Sequence, residues 1–294
     1  MIEAFPKPLP RRLKTGTQVW NYTLPGFDQV CISPVISGDQ IFAVSDFGSV
    51  TALKTSSGAL VWSEGTGSGY NPVVSNGLLF LNDHFAGTLS ALDPGTGVTK
   101  WTYPYGTPSF ASTPAVAGGR VFFTAFNTVY AVSVASGTLL WSQPLTGSAP
   151  CVCSKELSLA NGKIYVAAND SVMALRESDG LIQWHYVLPS GLRAISHPAI
   201  ANCVVYISLY NGGSNGWVYA FTAKTGTLRW AEQVGPVITD LGIGENSAVA
   251  VANGVLYVPD EKQRLRDRCH HQLATSYVRC RHRCRRFAQV AGHC

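Results

Sequence analysis

Short apolar runs of four to seven residues, separated by Gly, Ser, Asn or Asp, cover most of this chain. Within residues 112–144 four such runs follow one another, with the sequences STPAV, RVFFTA, TVYAV and TLLW. β-branched and aromatic residues dominate these runs and small residues mark the turns, which predicts an antiparallel meander of four strands. The same outline recurs as SPVISGDQIFAV, NPVVSNGLLFL, LSLANGKIYVA, HPAIANCVVYI and SAVAVANGVLYV.

A glycine followed four residues later by a tryptophan recurs along the chain. The pairs are Gly16/Trp20, Gly58/Trp62, Gly97/Trp101, Gly137/Trp141, Gly180/Trp184 and Gly226/Trp230. Successive tryptophans in this series are 42, 39, 40, 43 and 46 residues apart. An alanine also precedes each of the last five tryptophans by ten residues: Ala52, Ala91, Ala131, Ala174 and Ala220. The chain is therefore built from a repeat of about forty residues.

Four-stranded sheets repeated at this period are typical of the blades of a β-propeller, so the predicted fold class is all-β. Five complete blades fit residues 34–62, 72–101, 114–141, 157–184 and 198–230. A partial sixth blade has its first two strands at 247–258, and Thr17–Tyr22 could supply its outermost strand. The blades either close a ring of six or form an incomplete ring of a seven- or eight-bladed parent.

The repeated residues have predicted packing roles. Glycine in the turn takes a positive φ that a β-branched residue would resist. Alanine on the third strand leaves room where neighbouring blades converge. Tryptophan on the fourth strand can bury roughly 200 Å² between adjacent blades while its indole N–H bonds to a backbone carbonyl.

Composition agrees with this fold. The chain has 294 residues, of which 46% are hydrophobic and 13% charged, and its 29 glycines suit a protein with many tight turns. No run of eighteen apolar residues occurs, so no membrane-spanning helix is predicted. Residues 1–13 lack the apolar core of a secretory signal and are predicted to be an N-terminal extension of a propeller at 14–261.

The composition changes after Glu261. Residues 1–261 hold 13 Lys or Arg and 16 Asp or Glu, whereas residues 262–294 hold nine Lys or Arg, one Asp, four His and four Cys. If Arg264 to Gln272 are read one nucleotide later, the codons permit VYAIDATTS, which is the third strand that the repeat requires. We therefore infer a frameshift between about 260 and 264, and we expect residues 262–294 to be a disordered extension.

The tail invites two other interpretations. A zinc site could use Cys269, His270, Cys280, His282 and Cys284, but the C-x2-C pair of structural zinc sites is absent. Nine cations would bind polyanions in a salt-dependent manner, but we expect no specific nucleic-acid partner.

One repeat unit, Ala91 to Trp101, has the sequence ALDPGTGVTKW and resembles the A-x-D-x-x-T-G-x-x-x-W pattern of PQQ-type (pyrroloquinoline quinone) propeller repeats. Ala220 to Trp230 agrees at Ala, Thr, Gly and Trp, and other copies keep Ala, Gly and Trp. The resemblance covers residues 14–261. It implies a β-propeller related to BamB-like proteins of the bacterial cell envelope, here as a truncated and C-terminally frameshifted member.

The same resemblance includes the quinoprotein dehydrogenases, which hold PQQ and calcium. That alternative implies a calcium bound by Glu, Asn and Asp, a catalytic aspartate and an adjacent Cys-Cys disulfide. Cys151 and Cys153 are not adjacent, and we expect each to be a small buried hydrophobe. The side chains considered for an axial site are Asp240, Glu245, His84 and His197. We assign no catalytic, cofactor or metal residue, and we expect neither PQQ nor calcium to be bound.

The favoured hypothesis is a non-enzymatic scaffold that binds protein partners through loops at one end of the propeller. The longest loops are 63–71, 103–111, 186–196 and 209–217. We predict Tyr103, Tyr105, Tyr210 and Trp217 as contact residues, because aromatic side chains often anchor interfaces. The resemblance also implies a periplasmic or extracellular location, although we find no signal peptide in this chain.

Overall fold

The computed structural model describes residues 17–24, 33–45, 48–65, 69–83, 85–106, 111–145, 157–168, 170–194, 196–211, 216–234, 249–252, 254–259 and 277–278. These residues form strands and turns, with no helix among them. They belong to two compact units, Met1–Ser142 and Gln143–Cys294. The boundary between the units falls within the twelfth strand.

Three antiparallel sheets of four strands come first in the chain. The first sheet contains β1 (Val35–Ser37), β2 (Gln40–Val44), β3 (Ser49–Lys54) and β4 (Leu60–Gly65). The second contains β5 (Gly69–Ser75), β6 (Leu78–Asp83), β7 (Thr88–Leu92) and β8 (Thr99–Pro104). The third contains β9 (Ala115–Ala117), β10 (Arg120–Ala125), β11 (Thr128–Ser133) and β12 (Leu139–Pro144).

Three further sheets follow in the second half. The fourth contains β13 (Leu157–Ala160), β14 (Lys163–Ala168), β15 (Ser171–Arg176) and β16 (Ile182–Val187). The fifth contains β17 (Arg193–Ala194), β18 (Ala199–Ala201), β19 (Val204–Tyr210), β20 (Gly216–Thr222) and β21 (Leu228–Val234). The last contains β22 (Ala250–Ala252), β23 (Val255–Pro259) and β24 (Tyr277–Val278). The predicted all-β fold of four-stranded antiparallel blades is confirmed.

Tight turns set the register between the first two strands of each blade. In the second sheet Asn76 and Gly77 have φ angles of 51° and 71°, and Ser75 pairs with Leu78 across them. A two-residue loop with both φ angles positive matches the twist of the strands that it joins, and Asn-Gly is the preferred sequence for it. This turn therefore determines which side chains of β5 and β6 lie on each face of the sheet.

The cores lie between neighbouring sheets. Phe42, Val44 and Trp62 of the first sheet pack with Leu79 and Leu81 of the second. A second cluster joins the second sheet to the third, and another joins the fourth to the fifth. Because the middle strands are covered on both faces, they have continuous apolar sequences such as RVFFTA instead of an alternating pattern.

The tryptophans of the series lie between these sheets. The indole N–H donates to a backbone carbonyl of the following sheet at four positions among the described residues: Trp20 to Thr55 (2.7 Å), Trp62 to Pro94 (2.8 Å), Trp101 to Val134 (2.9 Å) and Trp184 to Ala223 (3.0 Å). In every case the acceptor precedes a turn glycine by three residues. The indole covers that glycine so closely that a methyl group on Gly97 would lie 2.8 Å from Cε3 of Trp62.

Trp230 differs from the other members of the series. Its side chain is 42% exposed, whereas Trp62 and Trp184 are 9% and 8% exposed. The sequence loses the repeat after Glu261, so no Thr-Gly or Ser-Gly turn follows Trp230 in this chain. The burial between adjacent blades that we predicted for the tryptophans is therefore less complete at Trp230.

Two short strands were also not predicted. Arg193 and Ala194, which we placed in a loop, pair with Tyr210 and Leu209 and give the fifth sheet a fifth strand. Tyr277 and Val278 pair with Pro259 and Val258, although we expected all of residues 262–294 to be disordered. Aromatic and β-branched residues suit a strand, and here they cover the edge of β23.

Candidate functional site

Each blade has a short-turn end and a long-connection end. We use the second name for the end that carries the links between second and third strands and the links from one sheet to the next. In the first unit these include residues 84–87 and 105–114, whereas the turn after β7, residues 93–98, lies at the other end and is closed by backbone hydrogen bonds. Loops of this kind carry most binding residues in proteins with rigid scaffolds.

Asp83 shapes the loop that follows β6. Its Oδ1 atom accepts hydrogen bonds from the backbone N–H groups of Phe85 and Ala86, both at 2.9 Å. This arrangement is an Asx-type turn, in which the carboxylate replaces a backbone acceptor. The ring of Phe85 is 64% exposed at the tip of the loop.

Tyr105 fastens the same loop to the link that leaves the second sheet. Its N–H donates to the carbonyl of Gly87 at 2.8 Å, and its hydroxyl donates to the carbonyl of Asp83 at 3.1 Å. Burial raises the pKa of Tyr105 well above its usual range, and the nearby negative charge of Asp83 raises it further.

The side chain of Tyr105 is only 8% exposed. Our prediction of Tyr105 as a contact residue does not fit this position, because its ring is enclosed by Phe123 and Tyr130 at centroid distances of 5.3 and 6.5 Å. Tyr103 is half-buried against the same two rings, at 6.3 and 6.1 Å, and burial raises its pKa too. Both tyrosines therefore pack against the third sheet, beneath the loop that carries Phe85.

Phe126 occupies a strained turn of the third sheet. Ala125 pairs with Thr128, so Phe126 and Asn127 form a two-residue loop, and Phe126 has a φ of 51°. A bulky residue in the left-handed region is uncommon and costs on the order of 1–2 kcal/mol. The ring is nevertheless 51% exposed. A methyl group built on Gly106 would lie 4.0 Å from its Cε2 atom, so Phe126 is close to the residue after Tyr105.

Buried hydrogen bonds join the two loops from beneath. Asn82, which precedes Asp83, donates from Nδ2 to the carbonyl of Ser112 at 2.7 Å. The N–H of Ser112 donates to the carbonyl of Thr124, and the N–H of Thr124 donates to Oγ of Ser112, both at 2.9 Å. Phe85 and Phe126 are thus held by adjacent sheets that these hydrogen bonds join. We call Phe85, Gly106 and Phe126 together the Phe85–Phe126 surface.

The other two predicted contact residues lie in the second unit. Tyr210 is the last residue of β19 and pairs with Arg193 and Gly216. Trp217 pairs with Leu209 and makes an edge contact with Tyr219 at 6.4 Å. Both are half-buried at the long-connection end of their sheet, and their role in contacts stays a prediction.

Residues that could hold PQQ or calcium were sought in the described part of the chain. No group of three or more His, Cys, Asp or Glu side chains within reach of one ion occurs there. Asp240, Glu245, His84, Cys151 and Cys153 lie outside the described residues, and His197 is half-buried before β18. The absence of bound PQQ and calcium therefore stays a prediction.

Phe85 and Phe126 were not among our predicted contact residues. A signal for Phe126 was present in the sequence, because AFNT places a phenylalanine where other hairpins of this chain have Asn-Gly or Gly-Gly. Phe85 carried no comparable signal, since its exposure depends on how Asp83 and Tyr105 shape the loop.

A family model described as outer membrane protein assembly factor BamB matches residues 11–124, 86–212 and 125–268. Among curated relatives, the BamB of Yersinia pestis is 25% identical over 269 residues, covering 87% of this chain and 59% of that protein. The serine/threonine-protein kinase AfsK of Streptomyces griseus is 26% identical over 190 residues, covering 55% of this chain and 23% of that protein. The chain thus spans well under two thirds of each of these relatives.

Solved structures share the fold. The crystal structure of BamB from Moraxella catarrhalis aligns with a TM-score of 0.65 at 20% identity and covers 83% of this chain and 70% of that one. The quinohemoprotein alcohol dehydrogenase ADHIIG from Pseudomonas putida HK5 aligns with a TM-score of 0.62 at 16% identity, over 82% of this chain and 52% of that one. One fold therefore serves proteins of both kinds.

Proposed function

The chain belongs to the family of outer membrane protein assembly factor BamB, and we propose that it is a non-enzymatic β-propeller scaffold that binds other proteins at its long-connection end. A scaffold of this kind needs exposed apolar side chains on a rigid base. Interfaces obtain most of their affinity from a few aromatic anchors, and fixed anchors lose little entropy on binding.

The Phe85–Phe126 surface carries this proposal. Phe126 keeps a strained backbone with half of its ring in solvent, so burial within the fold does not offset the strain. The two-residue turn itself calls for a positive φ, which Gly or Asn would adopt at lower cost, and a strained residue that persists at such a place often marks a functional position. The Asx turn at Asp83 and the hydrogen bond from Tyr105 to the carbonyl of Asp83 fix the loop that carries Phe85, whose ring is also exposed.

The proposed location is the cell envelope. The matched family is an outer-membrane assembly factor, and Cys203 is disulfide-bonded, which suits an oxidising compartment. No helix of the described residues is both long and apolar enough to cross a bilayer.

Photo-crosslinking tests the scaffold function. The chain is exported to the periplasm of a bacterial host with p-benzoylphenylalanine in place of Phe85. Val98 is the matched control position, because it is 59% exposed and lies at the short-turn end of the same blade. We expect discrete protein adducts from position 85 and none from position 98. Equal adduct patterns at the two positions, or none at either, would contradict the proposal.

A quinoprotein oxidoreductase is the competing function, and the shared fold of the Pseudomonas putida enzyme is the observation in its favour. Purified protein is mixed with PQQ and calcium and assayed for dye reduction in the presence of alcohols or sugars. We expect no turnover. Reproducible, PQQ-dependent turnover would replace the scaffold proposal with an enzymatic one.

A further inference from the structure

We propose that the Phe85–Phe126 surface binds a protein segment in which Lys or Arg side chains stand beside apolar side chains. This inference rests on the proposed scaffold function and names the chemistry of its partner. It follows from the charges around the surface and from the aromatic groups that the surface exposes.

Cations are scarce in this part of the chain. Between residues 55 and 154 the only Lys or Arg residues are Lys100 and Arg120. Both lie near the short-turn end, where Lys100 forms an ion pair with Asp93 at 3.1 Å and Arg120 donates to the carbonyl of Gly118 at 3.2 Å. Residues 84–87 and 105–114 of the long-connection end therefore contain no Lys or Arg, and Lys155 comes later, in the link that leaves the third sheet.

The charge that is present is negative. Residues 17–142 contain three Lys or Arg and six Asp or Glu, a net charge of −3. Asp83 lies at the base of the surface, and its field reaches the Tyr105 hydroxyl strongly enough to raise the pKa of that group. An incoming cation gains the attraction of this carboxylate.

The exposed rings favour the same partner. Aromatic faces attract Arg and Lys through the ring quadrupole, and partly desolvated faces do so more strongly. Phe85 and Phe126 also offer apolar area, which a purely hydrophilic basic segment could not cover. The partner must therefore combine both kinds of side chain.

Three fluorescein-labelled peptides serve as probes for the full chain: five Arg-Leu repeats, five Glu-Leu repeats and five Arg-Ser repeats. Binding is followed by fluorescence anisotropy at about 0.05 M and about 0.2 M salt. We expect the Arg-Leu peptide to bind most tightly, the Arg-Ser peptide more weakly and the Glu-Leu peptide not measurably. Equal binding of the Arg-Leu and Glu-Leu peptides would overturn the proposal.

Variants then locate the binding site. The double variant Phe85→Ala/Phe126→Ala should weaken Arg-Leu binding by about tenfold or more, as expected for anchor residues. The matched control Leu60→Ala/Val98→Ala removes side chains that are 50% and 59% exposed and should leave the affinity unchanged. If the control variant loses as much affinity as the phenylalanine variant, the peptide binds elsewhere and the proposal fails.

Asp83→Asn isolates the charge. Asparagine can still accept the N–H groups of Phe85 and Ala86, so the loop keeps its turn. We expect affinity for the Arg-Leu peptide to fall by about threefold at low salt, with the difference vanishing at high salt because surface charges are screened. An unchanged affinity at low salt would contradict the role of Asp83.

Failure of this inference can be told from failure of the scaffold function. If position 85 still gives protein adducts in cells while the peptides show no preference for Arg-Leu, the partner chemistry is wrong and the scaffold stands. If position 85 gives no adducts, the function itself is refuted.

Discussion

Gly97→Ala should destabilise the protein much more than Gly77→Ala, although the two glycines share a blade and a backbone conformation. Their φ angles are +76° and +71°. Either substitution places a side chain in the left-handed region, at a cost of about 1–2 kcal/mol. The surroundings differ, because a Cβ on Gly77 would meet nothing within 4 Å.

A Cβ on Gly97 would lie 2.8 Å from Cε3 and 2.9 Å from Cδ2 of Trp62. Carbon atoms in contact prefer separations of about 3.5–4.0 Å, so the indole must move. It is held by its N–H bond to the carbonyl of Pro94 at 2.8 Å. Overpacking of this kind costs about 1–3 kcal/mol. Gly97→Ala should therefore cost about 2–5 kcal/mol in total, against about 1–2 kcal/mol for Gly77→Ala.

Urea titrations measure the two free energies of unfolding. Circular dichroism and tryptophan fluorescence should give coincident transitions if unfolding is two-state. Equal losses of unfolding free energy for the two variants would refute the reasoning, because they would show that the contact between Cβ and the Trp62 indole has no effect on stability. A Trp62→Ala background offers a second check, since there Gly97→Ala should lose most of its extra cost, with only the contact to Cγ of Glu64 at 3.2 Å remaining.

Three further outcomes are expected. Trp184→Ala should cost about 3–5 kcal/mol of unfolding free energy, and Trp230→Ala about half of that because Trp230 is 42% exposed. Urea titrations measure both losses, and equal losses would contradict the difference in packing. Hydrogen bonding from Lys100 lowers the pKa of Asp93 in the folded protein. The ionised carboxylate therefore contributes its full stabilisation above the pKa of Asp in the unfolded chain, near 4, and this stabilisation is lost as the pH falls through the lower pKa of the folded state. Melting temperatures between pH 2 and 7 should accordingly fall less steeply in acid for Asp93→Asn than for the unmodified chain. Phe126→Asn should relieve strain and leave the melting temperature equal or higher while weakening Arg-Leu peptide binding. A large loss of stability would contradict the strained turn.

The repeat could be predicted from sequence because its information is local. Asn-Gly turns and β-branched runs determine hairpins within a few residues, so the strands and their order follow directly. The exposure of Trp230 is of a different kind. It depends on the sheet that follows, and the sequence after Glu261 no longer encodes a turn of the repeat. The extra strand at Arg193 likewise depends on the length of β19, which continues to Tyr210 and so offers a free edge for pairing.

The misplaced tyrosine could have been recognised by comparing blades instead of loops. Residues two apart in a strand share a face, so Trp101, Tyr103 and Tyr105 extend one stripe that packs against the next sheet. The position four residues after the tryptophan is also buried after the third and fourth sheets, where Leu145 and Leu188 are both 4% exposed, whereas Val234 after Trp230 is half-buried. Leu188 also donates its N–H to the carbonyl of Asp170, as Tyr105 does to Gly87. This position therefore has a packing role in these blades, and the contact residues that we propose lie at the loop tips, which the repeat does not specify.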